Sequence, residues 1–408
     1  SHNTAVGYAA LTANTTGEGN TGIGNDALPA NTTGASNTAV GSGALYANTT
    51  ASSNTAVGLN AMVANTTGSE NVAVGKGALD ANTTGANNTA IGYQALTTNT
   101  GAGASNVAVG SEALSSNTTA SYNTSVGQLS MNDNTTGQEN TVVGYNALAN
   151  NTTAHYNTAV GASALAANTT GTRNVAVGYA ALDAATTASD NTYVGSGAGS
   201  ANTSGDHNTG IGQASMDELT TGANNTAVGS KSLSGVVTGD SNTAVGVSAL
   251  VANTSGAYNV AVGALALDAN TTGDNNTSLG MYSLTAATTA DNNTAVGYIA
   301  LGANTTGAEN VAVGSYSLDA NTTASYNTAV GHYALGANTT GARNTGIGRT
   351  ALQTNTTGTY NVALGMNALQ VSTTADNNTA VGYNAMALNT TGTQNVAVGA
   401  YALDANTT

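Results

Sequence analysis

Four histidines and six recurrent aspartates are the residues of this chain best equipped for chemistry, and their spacing argues against most of it. A metal site needs several ligands converging on one point, and acid–base catalysis needs titratable groups facing a cleft. The chain is written in a 17-residue unit that opens as Asn3-Thr4-Ala5-Val6-Gly7 and is still recognisable at Asn395-Val396-Ala397-Val398-Gly399. Counting that Asn as position 1, His2, His155, His207 and His332 fall at positions 17, 16, 17 and 6. They form no repeated site and read as solvated spacers. Asp80, Asp183, Asp217, Asp268, Asp319 and Asp404 share position 10, but the evenly spaced ones are three units apart. At one strand spacing per unit that is about 14 Å, too far to share an ion.

Other chemical signatures fail in the same way. The glycine-rich run Val194-Gly195-Ser196-Gly197-Ala198-Gly199-Ser200 has no following Lys, so it lacks what a phosphate loop requires. In frame it is ordinary repeat sequence with Gly199 in a slot otherwise held by Leu or Met, a core defect that Tyr193 could partly fill. The Gly-Gly-x-Gly-x-Asp run of calcium-binding β-rolls is missing. There is no cysteine, hence no disulfide or thiolate ligand. The expectation is a chain without cofactor or metal that is not an enzyme. Five basic against twenty acidic residues give a net charge of −15, which repels nucleic acid. No apolar run is long enough for membrane insertion.

Fixed self-similarity at this period is the mark of a solenoid, in which each turn, here called a coil, covers the open face of its neighbour. The expected fold is all-β, a parallel β-solenoid (β-roll) of about 24 coils with two short strands per coil. Residues 1–408 read as one continuous array, an interior segment of a longer fibre chain. Twenty-four coils at about 4.8 Å each would make a rod on the order of 115 Å long. Disorder, the usual fate of polar Gly-rich sequences, gives no reason for Gly to stay in phase.

Comparing coils shows what each slot tolerates. Position 1 is Asn in all 24 (Asn3, Asn20, Asn37, Asn54 and onward), and position 5 is Gly in all 24 (Gly7, Gly24, Gly41, Gly58). An unvarying Gly implies positive φ or a close approach that a Cβ would block. Position 12 is Asn in 19 coils (Asn14, Asn31, Asn48), its substitutes being Ala185, Leu219, Val236, Ala287 and Ser372; such substitutes suggest an inward slot. Successive inward Asn side chains could form hydrogen-bonded ladders, or each could cap its own turn. Position 4 (Val6, Val40) and position 9 (Leu11, Leu45) are the expected core stripe. The one 18-residue interval, Asn88 to Asn106, places its extra residue after position 12, with positions 15 to 17 as an outer turn.

One Val and one Leu per coil is a thin core, so burial of a second face against other copies is expected. Position 3, which is Ala, Gly or Ser in 22 coils, is the candidate, with a homotrimer favoured over a monomeric rod or filament. The Asn-Thr-Thr or Asn-Thr-Ser triplets at positions 12 to 14 also match a glycan-acceptor pattern, and the Thr pairs resemble ice-matching arrays.

Asn-Thr-Ala-Val-Gly-x-x-Ala-Leu resembles the head repeats of trimeric autotransporter adhesins, and the 17-residue form with Asn-Thr-Thr-Gly is similar to stalk repeats of phage tail fibres and bacterial surface fibres. The resemblance implies an extracellular structural shaft, at a cell or virion surface, presenting a distal binding region. Two other expectations stand beside it: a surface that binds carbohydrate or matrix along its length, and an ice-binding solenoid.

Overall fold

The computed structural model describes residues 2–408. Its regular structure is a parallel β-solenoid of 24 three-residue strands, one per coil, from β1 (Thr4–Val6) to β24 (Val396–Val398). These fall in two compact units, one ending at Asp206 and the other spanning His207–Thr408. The first holds β1 through β12 (Thr192–Val194) and the second β13 (Thr209–Ile211) through β24. Inside each unit a strand pairs in parallel with its equivalent one coil on, as in Thr21↔Thr38, Gly22↔Ala39 and Ile23↔Val40, or Thr243↔Val260 and Ala244↔Ala261.

Hydrogen bonding between coils extends well past the strands. In the coil that begins at Asn37, Thr38 N donates to Asn54 O (2.8 Å), Leu45 N to Ala61 O (3.0 Å), Ala47 N to Val63 O (3.0 Å) and Thr49 N to Thr66 O (3.3 Å). Gly41 N, Gly43 N and Ser53 N donate backwards to Ile23 O, Asn25 O and Ala35 O. Backbone groups are therefore satisfied around the whole turn, as an inward-folded chain requires.

The expected second strand is absent from the coil. Positions 7 and 9 are left-handed instead, for example Asn60 (φ 56°) and Met62 (φ 51°), and extended backbone cannot run through them. The cost of about 1–2 kcal/mol for a non-Gly residue in this region is offset at position 9 by full burial of the side chain and by its N–H bond to the next coil.

The core also differs from expectation. Within each Thr-Ala-Val strand it is the small middle residue that points inward: Ala39, Ala56 and Ala73 are fully buried, whereas Val6 is 58% and Val74 36% exposed and Val40 is half-buried. Val6 and Val40 are thus not core residues. Leu45 is fully buried, and Leu11, in the first coil, partly so. The interior of a typical coil consists of Asn, Ala, Ala, Leu, Asn and Gly at positions 1, 3, 8, 9, 12 and 15. A Cβ on Gly22 would lie 3.2 Å from Ala27 O and 3.3 Å from Leu11 Cγ, so little more than a methyl group fits at position 3 while Leu or Met occupies position 9. Position 3 therefore belongs to the interior and cannot be the face that packs against another copy.

Val142 is buried at position 3 with Leu148 still at position 9, and nothing in the coil compensates for it; the other exceptions are matched by a partner slot. Tyr193 at position 3 is fully buried, and its ring lies 2.6 Å from where a Cβ of Gly199 would be. Gly199 at position 9 makes the room that Tyr193 takes. Where position 3 is Ser125 or Ser278, position 8 is Ser130 or Ser283, and the paired hydroxyls lie 2.6 and 2.5 Å apart. In the 18-residue coil the register survives, with Thr89↔Val107 aligned, so the extra residue is absorbed after position 12 as expected. Position 15, however, is buried rather than part of an outer turn. At the coil beginning at Asn225 the expected inward Val236 is 53% exposed, and Val237 is buried in its place.

Inward and outward slots can be told apart by truncation. Leu79→Ala should cost about 2–5 kcal/mol through the cavity it opens, whereas Val74→Ala should cost less than about 1 kcal/mol as a partly exposed strand residue. Urea midpoints of the two variants give the comparison, and equal losses would contradict the assigned sidedness.

Candidate functional site

Three backbone and side-chain columns hold successive coils in phase, and two of them are asparagine ladders. At position 1, Asn20 N donates to Asn3 Oδ1 (2.8 Å), Asn37 N to Asn20 Oδ1 (3.0 Å) and Asn54 N to Asn37 Oδ1 (3.0 Å). Each amide then donates from Nδ2 to the position-15 carbonyl of its own coil: Asn3 to Gly17 O (2.8 Å), Asn20 to Gly34 O (2.8 Å) and Asn37 to Ala51 O (2.8 Å). At position 12 the ladder is amide to amide, Asn31 Nδ2 to Asn14 Oδ1 (2.9 Å) and Asn48 Nδ2 to Asn31 Oδ1 (2.9 Å). Its Nδ2 reaches the same position-15 carbonyl, as in Asn14 to Gly17 O (3.0 Å) and Asn31 to Gly34 O (2.9 Å). Two side chains from opposite parts of the coil thus converge on one carbonyl.

This geometry explains why the two positions differ in tolerance. A position-1 Asn accepts a buried backbone N–H from the next coil, and nothing else is placed to satisfy that donor. A position-12 Asn accepts another side-chain amide, except Asn202, whose Oδ1 accepts the backbone N–H of Gly205 (2.8 Å). Where the next coil substitutes Ala185, Ala287 or Ser372, Asn168 Oδ1, Asn270 Oδ1 and Asn355 Oδ1 are left buried without a partner, and so is Ser372 Oγ itself. In the coil of Tyr193, the position-12 side chain of Asn202 is hydrogen-bonded to the phenol, whose pKa burial pushes well above its ordinary value.

The third column is glycine. Gly7, Gly24, Gly41 and Gly58 have φ between 129° and 139°, and a Cβ on Gly24 would stand 2.6 Å from Gly41 O, one on Gly41 2.4 Å from Gly58 O. Both conditions for an unvarying Gly hold together: an unfavourable φ and no space.

Outside these columns the surface is acidic and varied. Inside an unbroken ladder the position-12 amide nitrogens are buried and donate two hydrogen bonds, as at Asn31 and Asn48, so an Asn-linked glycan at those residues is incompatible with the fold. Position-13 hydroxyls donate to the next coil, as Thr32 Oγ1 to Thr49 O (3.1 Å) and Thr271 Oγ1 to Thr288 O (2.9 Å), which removes one row of the supposed ice-matching array. Among the described residues no three His, Cys, Asp or Glu side chains are grouped to hold a metal ion. Burial raises the carboxyl pKa of Asp80, Asp183, Asp217 and Asp319 at position 10, opposed by backbone hydrogen bonds. Arg173 pairs with Asp190 one coil on through two bonds of 2.6 and 2.8 Å, an exposed pair of small energetic weight.

One feature of the second unit escaped the sequence reading. Tyr282, Tyr298, Tyr316 and Tyr333, on four successive coils, form a continuous row of ring contacts, with centroids 6.3, 5.4 and 4.9 Å apart. The signal was available: position 7 is Tyr in only four coils, three of them here, and position 10 is Gly only at Gly302 and Gly336, on either side of Asp319.

No family model matches this chain, and no curated protein matches it in sequence.

The ladder geometry predicts unequal substitutions. Asn71→Ala orphans the N–H of Asn88, which donates to Asn71 Oδ1 at 2.9 Å, and should cost about 2–3 kcal/mol. Asn82→Ala repeats a gap the chain already tolerates and should cost about 1 kcal/mol. Chemical denaturation of both variants measures the difference, and a larger loss for Asn82→Ala would reverse the assignment.

Proposed function

We propose that this chain is a structural shaft, a stiff extracellular spacer that holds a binding region of its fibre away from a cell or virion surface. The observation that supports this reading is where the constraint lies. Positions 1, 3, 5, 8, 9, 12 and 15 are restricted and serve only to join one coil to the next. Position 6, which faces solvent, runs through Tyr8, Asn25, Lys76, Gln128, His332, Arg349 and Met366. A surface evolved to bind one partner through position 6 would repeat that residue, and this one does not; the outward residues that do repeat are the apolar column at position 4 and the Thr at position 14. The resemblance to adhesin-head and tail-fibre stalk repeats points the same way.

Length is then the output. Deleting residues 225–275, three whole coils, rejoins Asn224 to Asn276 in phase and should shorten the fibre by about 14 Å in electron micrographs while binding by the rest of the fibre persists. Binding that falls in proportion to the coils removed would overturn the spacer reading.

Lateral association belongs to the same proposal, on a different face from the one the sequence suggested. Because position 3 is used inside the coil, the apolar surface left for a second and third copy is the outward column at position 4, including Val74, Ile91 and Ile211 at 36 to 41% exposure. The chain should sediment as a trimer, and the combined Val57→Asp, Val74→Asp and Ile91→Asp variant as a folded monomer. A monomeric parent chain would rule the trimer out.

A further inference from the structure

We propose that the coils from Asn276 to Gln353 carry a binding site for a neutral oligosaccharide, centred on Asp319. This goes beyond the spacer reading, which requires no such site. Tyr282, Tyr298, Ile299, Gly302 and Asp319 line a groove of about 450 Å³, and a second hollow, bounded by Asp319, Tyr333 and Gly336, adjoins it. Asp319 is common to both. The two glycines at position 10, one coil before and one after it, leave the carboxylate standing between two depressions; a Cβ on Gly336 would come 3.3 Å from Asp319 Oδ1.

The side chains around this acid match the chemistry of a sugar. A pyranose offers apolar C–H faces and a rim of hydroxyl donors. Tyr282 and Tyr298 remain 37 and 38% exposed, so ring surface is available for stacking. Asp319 lines both hollows, so its carboxylate is placed to accept from a sugar hydroxyl along the edge it shows there; its Oδ1 is buried without a hydrogen-bond partner, and burial raises the carboxyl pKa against backbone hydrogen bonds from Asp319 and Ala320. An apolar groove with a few placed polar groups is the usual form of a small-molecule site. The tyrosine row crosses four coils, about 14 Å from first to last, which suits several linked sugar rings better than one. The acidic surface and the absence of any basic side chain lining either hollow exclude acidic sugars.

The test uses the full chain and a panel of neutral oligosaccharides, linear hexaoses of glucose, galactose and mannose in α and β linkage. Binding is read by saturation-transfer NMR and by tyrosine emission, which no tryptophan obscures. At least one of the panel should bind saturably, and Tyr298→Ala, Asp319→Asn and Gly336→Gln should each weaken it at least tenfold, with Tyr383→Ala as an unaffected control. Gly336→Gln fills the second hollow with a residue that the next coil already carries at this position as Gln353, so loss of binding without loss of fold is expected. Three results would overturn the proposal: no binding by any of the panel, binding indifferent to these variants, or saturation by tetramethylammonium chloride instead, which would make the row a cation cage. Removal of residues 225–275 leaves the groove whole, so failure of the spacer reading and failure of this site give different results.

Discussion

The structure depends on one carbonyl per coil. The position-15 C=O receives an amide from position 1 and another from position 12, and those amides are in turn held by their counterparts in neighbouring coils. A buried polar network of this sort is strongest when fully satisfied; every coil supplies the position-1 half of it, while the position-12 half is interrupted at Ala185, Leu219, Val236, Ala287 and Ser372. The small apolar interior follows from it. With two asparagines reaching inward, the remaining space takes one Leu and two alanines, and the backbone must approach closely enough that position 5 admits no Cβ.

What could be read from the sequence was whatever depends on identity at a fixed slot. Asn3 and Gly7 recur without exception, and the reasons found for them are the ones their chemistry suggested. The buried Leu at position 9 was equally plain. Sidedness was not. In Thr-Ala-Val, hydrophobicity favours an inward Val, and alternation alone cannot say which parity faces in; the width of the coil decides, and that width is set by side chains remote in sequence. The second strand failed for a related reason. Leu has no preference for left-handed φ, so nothing in Leu45 or Leu79 announces that the backbone turns there.

Deviations from the repeat are as informative as the repeat itself. Tyr193 opposite Gly199, and Ser125 opposite Ser130, show pairs of slots compensating one another inside a single coil. Val236 and Val237 show one coil shifting its inward residue by one place, whereas Ala185, Leu219, Ala287 and Ser372 replace Asn without a shift. The groove beside Asp319 is different in kind, since its tyrosines and glycines lie outside the joining positions and alter nothing that a neighbouring coil must match.

Every coil offers one and the same face to its successor and the complementary one to its predecessor, as Asn20 donates its N–H to Asn3 and offers its Oδ1 to Asn37. Copy number is therefore a heritable variable that recombination can change without passing through a broken intermediate: unequal exchange between any two coils, aligned at their invariant Asn and Gly, yields another well-formed member of a size series. Selection on such a gene can tune reach first and decorate individual coils later.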